Sequence, residues 1–105
     1  MEPKILALRV NDKDNVATLF SNGAEQGLQA EVRDQRGDST AIELRDDIPY
    51  GHKIALTAIA AGVPIVKYGE EIGVAVKDIK VGEHVHVHNM DSQRARGDLA
   101  PAKEE

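Results

Sequence analysis

Leu28-Gln29-Ala30-Glu31-Val32-Arg33, then Asp34-Gln35-Arg36-Gly37-Asp38, then Thr40-Ala41-Ile42-Glu43-Leu44-Arg45 form the stretch from which the fold class is read. On both sides of the turn-forming segment apolar and polar residues alternate with period two. Leu28, Ala30 and Val32, and again Thr40, Ile42 and Leu44, therefore fall on one face, the pattern of a half-buried β-hairpin. Upstream, Ile5 to Val10 and Val16 to Phe20 are apolar runs separated by the polar Asn11-Asp12-Lys13-Asp14-Asn15, again strand, turn, strand. Downstream, Ile65 to Tyr68 meets Gly69, Ile72 to Val76 follows, and Val85 and Val87 alternate inside His84-Val85-His86-Val87-His88. One short helix is predicted from Thr57, a good N-cap residue, to Gly62, with Pro64 just beyond. Asp78-Ile79-Lys80-Val81-Gly82 loosely echoes the stretch from Thr57 to Gly62, and both read as turns that launch a strand. Many short strands and nine glycines argue for a mostly β domain of barrel-like or clip-like build over residues 1–90. From residue 91 the chain turns polar, with Leu99 its one large apolar residue, so residues 91–105 are expected to be flexible or ordered by a partner.

With 105 residues the chain is one small domain, too small for a large catalytic cleft of its own. No apolar run approaches the roughly 18 residues of a membrane span. The opening MEPKILALRV fits neither a secretory signal nor a transit peptide, so a cytoplasmic location is expected. The absence of cysteine excludes disulfides, thiolate metal sites and thiol nucleophiles from this chain. A net charge of -5 and 3% aromatic residues disfavour nucleic-acid binding, which needs a basic surface and stacking platforms. Arg-Gly-Asp occurs at residues 36–38 and 96–98; a Gly-Asp turn accounts for the first and a polar tail for the second.

The unusual chemistry lies in four histidines. On an extended chain His84, His86 and His88 project from one face, roughly 6.5–7 Å apart in sequence order, with Val85 and Val87 toward the core. Such a stripe can hold a metal or an anion, or titrate against a substrate. His52 follows the tight turn Pro49-Tyr50-Gly51 and precedes Lys53, a pairing suited to holding a carboxylate or keeping the imidazole neutral as a base. The loop from Asn11 to Asn15 reads as a turn with Asp14 and Asn15 as candidate ligands or orienting groups.

Three stretches, from Ile48 to Leu56, from Ile65 to Gly73 and from Asp78 to Asn89, resemble in order and spacing the small N-terminal domain of the altronate and galactarate dehydratases. That is a SAF-type domain of β-clip fold, and the resemblance covers residues 5 to 98. A similar domain is the separate small subunit of the sulfolactate sulfo-lyases. The resemblance implies a lyase that performs β-elimination on a small hydroxy acid together with a large catalytic subunit, altronate dehydratase-like in the first instance. The alternatives are the small subunit of a sulfolactate sulfo-lyase and a non-catalytic SAF-type binding module. A stand-alone metal sensor is a third.

Carried onto this chain, the resemblance implies His52 and His86 in acid–base work and Lys53, Asn11, Asn15 and Asn89 around the substrate. It implies His84, His86 and His88 as ligands to a divalent metal (iron, manganese or magnesium) completed by the partner chain. A homo-oligomer fits as well; nucleic acid and membrane are not expected as partners. Asn11 stands where relatives often carry histidine. Galactarate-type members keep the Gly51-His52-Lys53 match without the strand histidines, which makes His52 the shared element. Arg94, Arg96 and Gly97 would form an interface with the large subunit.

Overall fold

The computed structural model describes residues 5–92, and among these there are strands and turns but no helix. The strands are β1 (Ile5–Leu8), β2 (Val16–Leu19), β3 (Gln29–Arg33), β4 (Ser39–Glu43), β5 (Lys53–Ala55), β6 (Pro64–Lys67), β7 (Glu70–Ala75), β8 (His84–Val85) and β9 (Met90–Ser92). They form a six-stranded sheet in the order β4-β3-β1-β2-β5-β8 and a three-stranded sheet in the order β6-β7-β9. The mostly β, clip-like architecture expected from the alternation is what the chain adopts.

The expected hairpin pairs β3 with β4 in antiparallel register, Ala30 opposite Ile42 and Val32 opposite Thr40. Its inward face is unequal, because β4 is an edge strand: Ala30 and Val32 are buried, Leu44 beyond β4 is buried, Ile42 is half-buried and Thr40 is exposed. The first two apolar runs pair as antiparallel β1 and β2, while β1 also pairs with β3 in parallel, Ile5 opposite Ala30. Strands β2 and β5 form the wall between two cores. Ala17, Leu19 and Ile54 enter one, with Ile5, Val32, Leu44 and Ile48; Val16 and Ala55 enter the other, with Ile59, Ile65, Ile79 and Val85.

One four-residue corner recurs four times, and it explains both the echo in the sequence and the missing helix. An apolar residue is followed three positions later by glycine in Ala24-Gly27, Ile48-Gly51, Ile59-Gly62 and Ile79-Gly82, each glycine with positive φ. Ala24 bridges Ile48, and Ile59 bridges Ile79. The four glycine amides donate to the carbonyls of Leu44, Leu19, Ala75 and Ala55 in turn, and the amides of those four residues donate back to Leu28, His52, Val63 and Glu83, each the residue after its glycine. The predicted helix over Thr57–Gly62 is thus corrected. Ile59 spends its amide and carbonyl on Ile79 across the corner, at 2.8 Å each way, so the apparent helical start and stop are the two ends of a turn.

The strand predicted over His84–His88 is shorter as well. β8 ends at Val85, and residues 86–89 close a turn in which the Asn89 amide donates to the His86 carbonyl at 3.1 Å. Val87 consequently points outward, 76% exposed, instead of into the core. β9 carries regular structure to Ser92; the rest of the segment read as a tail, with Arg94, Arg96 and Gly97, lies outside the described residues. No helix among the described residues is long and apolar enough to cross a membrane.

Candidate functional site

The Ile48-Gly51 corner sets His52. Its amide closes the turn onto the Pro49 carbonyl at 3.0 Å, its carbonyl accepts from Leu19 at 2.9 Å, and β5 begins at the next residue. The Ile79-Gly82 corner launches β8, which pairs antiparallel with β5, Ile54 opposite His84 and Lys53 opposite Val85. One further step along this ladder sets His52 against His86. Two corners separated by about thirty residues of chain thus deliver three imidazoles to one spot.

The rings of His52 and His86 stack at 4.1 Å between centroids, and those of His52 and His84 lie at 5.1 Å. Nδ1 of His52 is 2.9 Å from Nε2 of His84, so these two share one proton between them. Nδ1 of His86 is buried and has no hydrogen-bond partner. His88 is exposed and meets the group only through His84, ring to ring at 5.1 Å and tilted by 45°. Asp46 also belongs to the site, its carboxylate accepting the His84 backbone amide at 3.0 Å; nothing in the spacing of Asp46 and His84 signals it.

Burial, reinforced by His88, His52 and His86, pushes the His84 imidazole down to about 4, with Asp46 pulling weakly the other way. His86 is lowered by burial first, then by His52, Lys53 and His88. Lys53 is lowered by burial and then by Lys67. At pH 7 His84 and His86 are therefore neutral and have lone pairs to offer, next to an ammonium held under stress.

The depressed His84 sets a pH dependence. Unfolded, it takes a proton near 6.5; folded, it refuses one until about 4. Across that window the unfolded state binds the extra proton, so this contribution to stability is intact above 6.5 and is lost as the pH falls toward 4. Urea unfolding of the metal-free chain is expected to show a midpoint that drops through the window, with a flatter profile for His84→Gln. An identical profile in the variant would assign the effect elsewhere.

The asparagines fall into two places. Asn89 is 2% exposed; its Oδ1 accepts the His86 amide at 3.0 Å and its Nδ2 donates to the His84 carbonyl at 2.9 Å, so it holds the backbone beneath the two histidines. Asn89→Ala orphans both groups and is expected to cost about 2–3 kcal/mol, measurable as a lower urea midpoint at unchanged slope. Asn11 and Asn15 are elsewhere. Asn11 is exposed and accepts from the Lys13 amide at 2.9 Å. Asn15 clamps β6, donating to Pro64 at 2.9 Å and accepting from Val66 at 2.8 Å. Buried Asp14 accepts from Asn11 and from Gly69, tying this loop to the β6–β7 turn. The Asn15 carbonyl accepts from Leu56, four residues along the chain from His52, a separation of about 13 Å on an extended strand. The structure thus brings together His52, His84, His86, His88 and Lys53, and leaves Asn11 and Asn15 at the other end of β5.

The cluster lies at an open surface flanked in sequence by exposed Tyr50 and Val87. A cavity of about 620 Å³ lies between β4 and the Gly82 corner, lined by Ile42, Arg45, Lys80 and Glu83 among others, and includes none of the four histidines. A second surface laid over Tyr50 and Val87 would therefore cover the histidines.

Residues 5–93 match the family described as the altronate/galactarate dehydratase SAF domain. The chain is 43% identical to the altronate dehydratase of Escherichia coli (strain K12) over 82 residues, which is 78% of this chain but 15% of that protein. It is 40% identical to the galactarate dehydratase (L-threo-forming) of the same organism over 83 residues, 79% of this chain and 14% of that protein. It is 42% identical to the (2R)-sulfolactate sulfo-lyase subunit alpha of Chromohalobacter salexigens over 89 residues, 81% of this chain and 93% of that subunit. The chain thus spans about a seventh of the dehydratases it matches and nearly all of the sulfo-lyase subunit.

Proposed function

The chain belongs to the altronate/galactarate dehydratase SAF domain family, and on that premise we propose that it is the small subunit of a cytoplasmic hydroxy-acid lyase completed by a separate, larger chain. The reaction is a β-elimination. The C–H bond α to the carboxylate breaks, its electron pair becomes the new C–C double bond, and the leaving group departs from the β carbon. In the altronate dehydratase-like reaction the leaving hydroxyl takes a proton and departs as water.

The observation that carries this reading is the cluster of His52, His84 and His86 at an open surface beside Lys53, in a domain whose relatives are a dehydratase and a sulfo-lyase subunit. A neutral imidazole can take the α-proton and return one to the leaving oxygen, and the Lys53 ammonium attracts the carboxylate. One observation favours sulfite as the leaving group instead: the chain matches 93% of the length of a sulfolactate sulfo-lyase subunit.

Affinity purification of the tagged chain from its native host, followed by native mass spectrometry, tests the proposal. Recovery of a stoichiometric larger chain, and turnover of altronate, galactarate or sulfolactate by that complex, is the expected result. A chain recovered alone, or a complex inert toward all three acids, would overturn it in favour of a binding module.

A further inference from the structure

We propose that the free edge of β4 is a self-association surface, on which a second copy of this chain adds its own β4 antiparallel across a two-fold axis at Thr40. No larger chain takes part in this contact, so it stands apart from the lyase reading above. β4 and β8 are the two ends of the six-stranded sheet, so pairing at β4 leaves the histidines free.

The direction of the β4 hydrogen bonds leaves that edge open. Leu44 donates to the Leu28 carbonyl at 2.8 Å and Asp34 to the Asp38 carbonyl at 2.9 Å. With Ala30 opposite Ile42 and Val32 opposite Thr40, the even-numbered residues of the strand therefore bond to β3, and the amides and carbonyls of Ser39, Ala41 and Glu43 point away from it. Among the described residues these outward groups have no backbone partner until the Arg45 amide meets the Gly82 carbonyl at 2.9 Å. Two other edges are closed. Asp46 takes the outward amide of His84 on β8, and in the small sheet Asn15 holds both the amide and the carbonyl of Val66. From Ser39 to Ile42 there is no charge, no proline and no break in register to turn another strand away.

The occupant that fits is the strand itself. The Gly82 corner stands against the Glu43 carbonyl and closes the edge at that end. An antiparallel copy that keeps clear of the corner sets Thr40 opposite Thr40 of the second copy and Ser39 opposite its Ala41, and each Ser39–Ala41 pair exchanges both of its main-chain hydrogen bonds. The side chains agree. Threonine facing threonine is a favourable cross-strand pair. Glu43 falls opposite Gly37 of the second copy, beside its exposed Arg36, so acid meets base at both ends of the paired strands. The cavity of about 620 Å³ beside Ala41 and Glu43, and one of about 180 Å³ beside Thr40 and Ile42, leave room for the incoming side chains. A contact this short falls below the area of stable complexes, and a net charge of -5 on each copy works against it, so dimers are expected at about 0.1 mM and above.

The absence of cysteine makes the register directly testable. In a pair of this kind the Thr40 Cα atoms stand about 4.5 Å apart, within reach of a disulfide, whereas Ser39 and its own copy stand more than about 7 Å apart, beyond it. The full chain carrying Thr40→Cys, treated with a mild oxidant at about 0.1 mM, should give at least about fivefold more disulfide-linked dimer than Ser39→Cys. In sedimentation equilibrium the native chain should show a concentration-dependent dimer. Thr40→Glu, which sets like charges opposite each other at an exposed position, should raise its dissociation constant about fivefold or more. Thermal unfolding confirms that the variants fold. Equal cross-linking at residues 39 and 40, a native chain that stays monomeric at about 1 mM, or unchanged association in folded Thr40→Glu would overturn the proposal. Amide exchange at Ala41 that slows on binding a larger chain and not with concentration would give the edge to that chain instead.

Discussion

Gly82→Ala is expected to destabilise the chain by about 3–5 kcal/mol, among the largest effects a single surface-to-core change produces in a domain of this size. Two costs add. Gly82 has φ of +89°, where an L-residue loses about 1–2 kcal/mol. An added Cβ would also stand 2.2 Å from the Glu43 carbonyl oxygen, a backbone atom that cannot rotate away. Relief requires parting the Ile79-Gly82 corner from β4, against hydrogen bonds from Arg45 to Gly82 and from Gly82 to Ala55. At about 4–8 °C per kcal/mol the melting temperature should fall by more than about 12 °C. Gly27→Ala is the control: it occupies the equivalent corner with φ of +95° but open space around it, and should lose only about 1–2 kcal/mol. Equal losses in the two variants would show that the close approach at Gly82 carries no weight.

The hairpins were legible because both of their determinants are local. Alternation from Leu28 to Leu44 and the turn from Asp34 to Asp38 specify β3 and β4 without reference to anything distant, and the same holds for β1 with β2 and β6 with β7. The features that escaped reading depend on long-range pairing. Ala58, Ala60 and Ala61 favour helix locally, yet the bridge from Ile59 to Ile79 decides the conformation. Val87 looked like the next inward residue of a strand, but the Asn89 side chain captures the His86 amide and turns the chain first. The same logic governs the site. The i, i+2 spacing drew attention to His84, His86 and His88, and the resemblance singled out His52. That His52 stacks on His86 follows only from the pairing of a three-residue strand with a two-residue one, thirty residues apart, which no periodicity announces. Asn15 and Asn89, which the resemblance placed around the substrate, hydrogen-bond the backbone with their amides, partners that no local pattern signals.

In the proposed two-chain enzyme, His52→Gln is expected to lower kcat by about 10²–10⁴ while leaving assembly intact, the range for loss of a positioned acid–base group. Glutamine keeps the length and a hydrogen-bonding end but can neither accept a proton near neutral pH nor replace an imidazole ligand. The local fold should tolerate it, because the His52 backbone stays held through Pro49 and Leu19 when the ring's contacts with His84 and His86 are lost. His86→Gln should fall in the same range, since its ring stacks on His52 at 4.1 Å. His88→Gln should cost less than about tenfold, because the His88 ring touches only that of His84 and acts on His84 and His86 mainly by charge. Lys53→Met separates the two roles within the site: a residue that attracts the carboxylate in ground and transition states alike raises KM more than it lowers kcat. Steady-state kinetics of the four complexes, each checked for stoichiometry by native mass spectrometry, decide the matter. An unchanged kcat in His52→Gln with weakened association would place the histidine cluster at the subunit contact and not at the reacting atoms, because a group that only holds two chains together changes how much enzyme exists and leaves the turnover of each assembled copy alone.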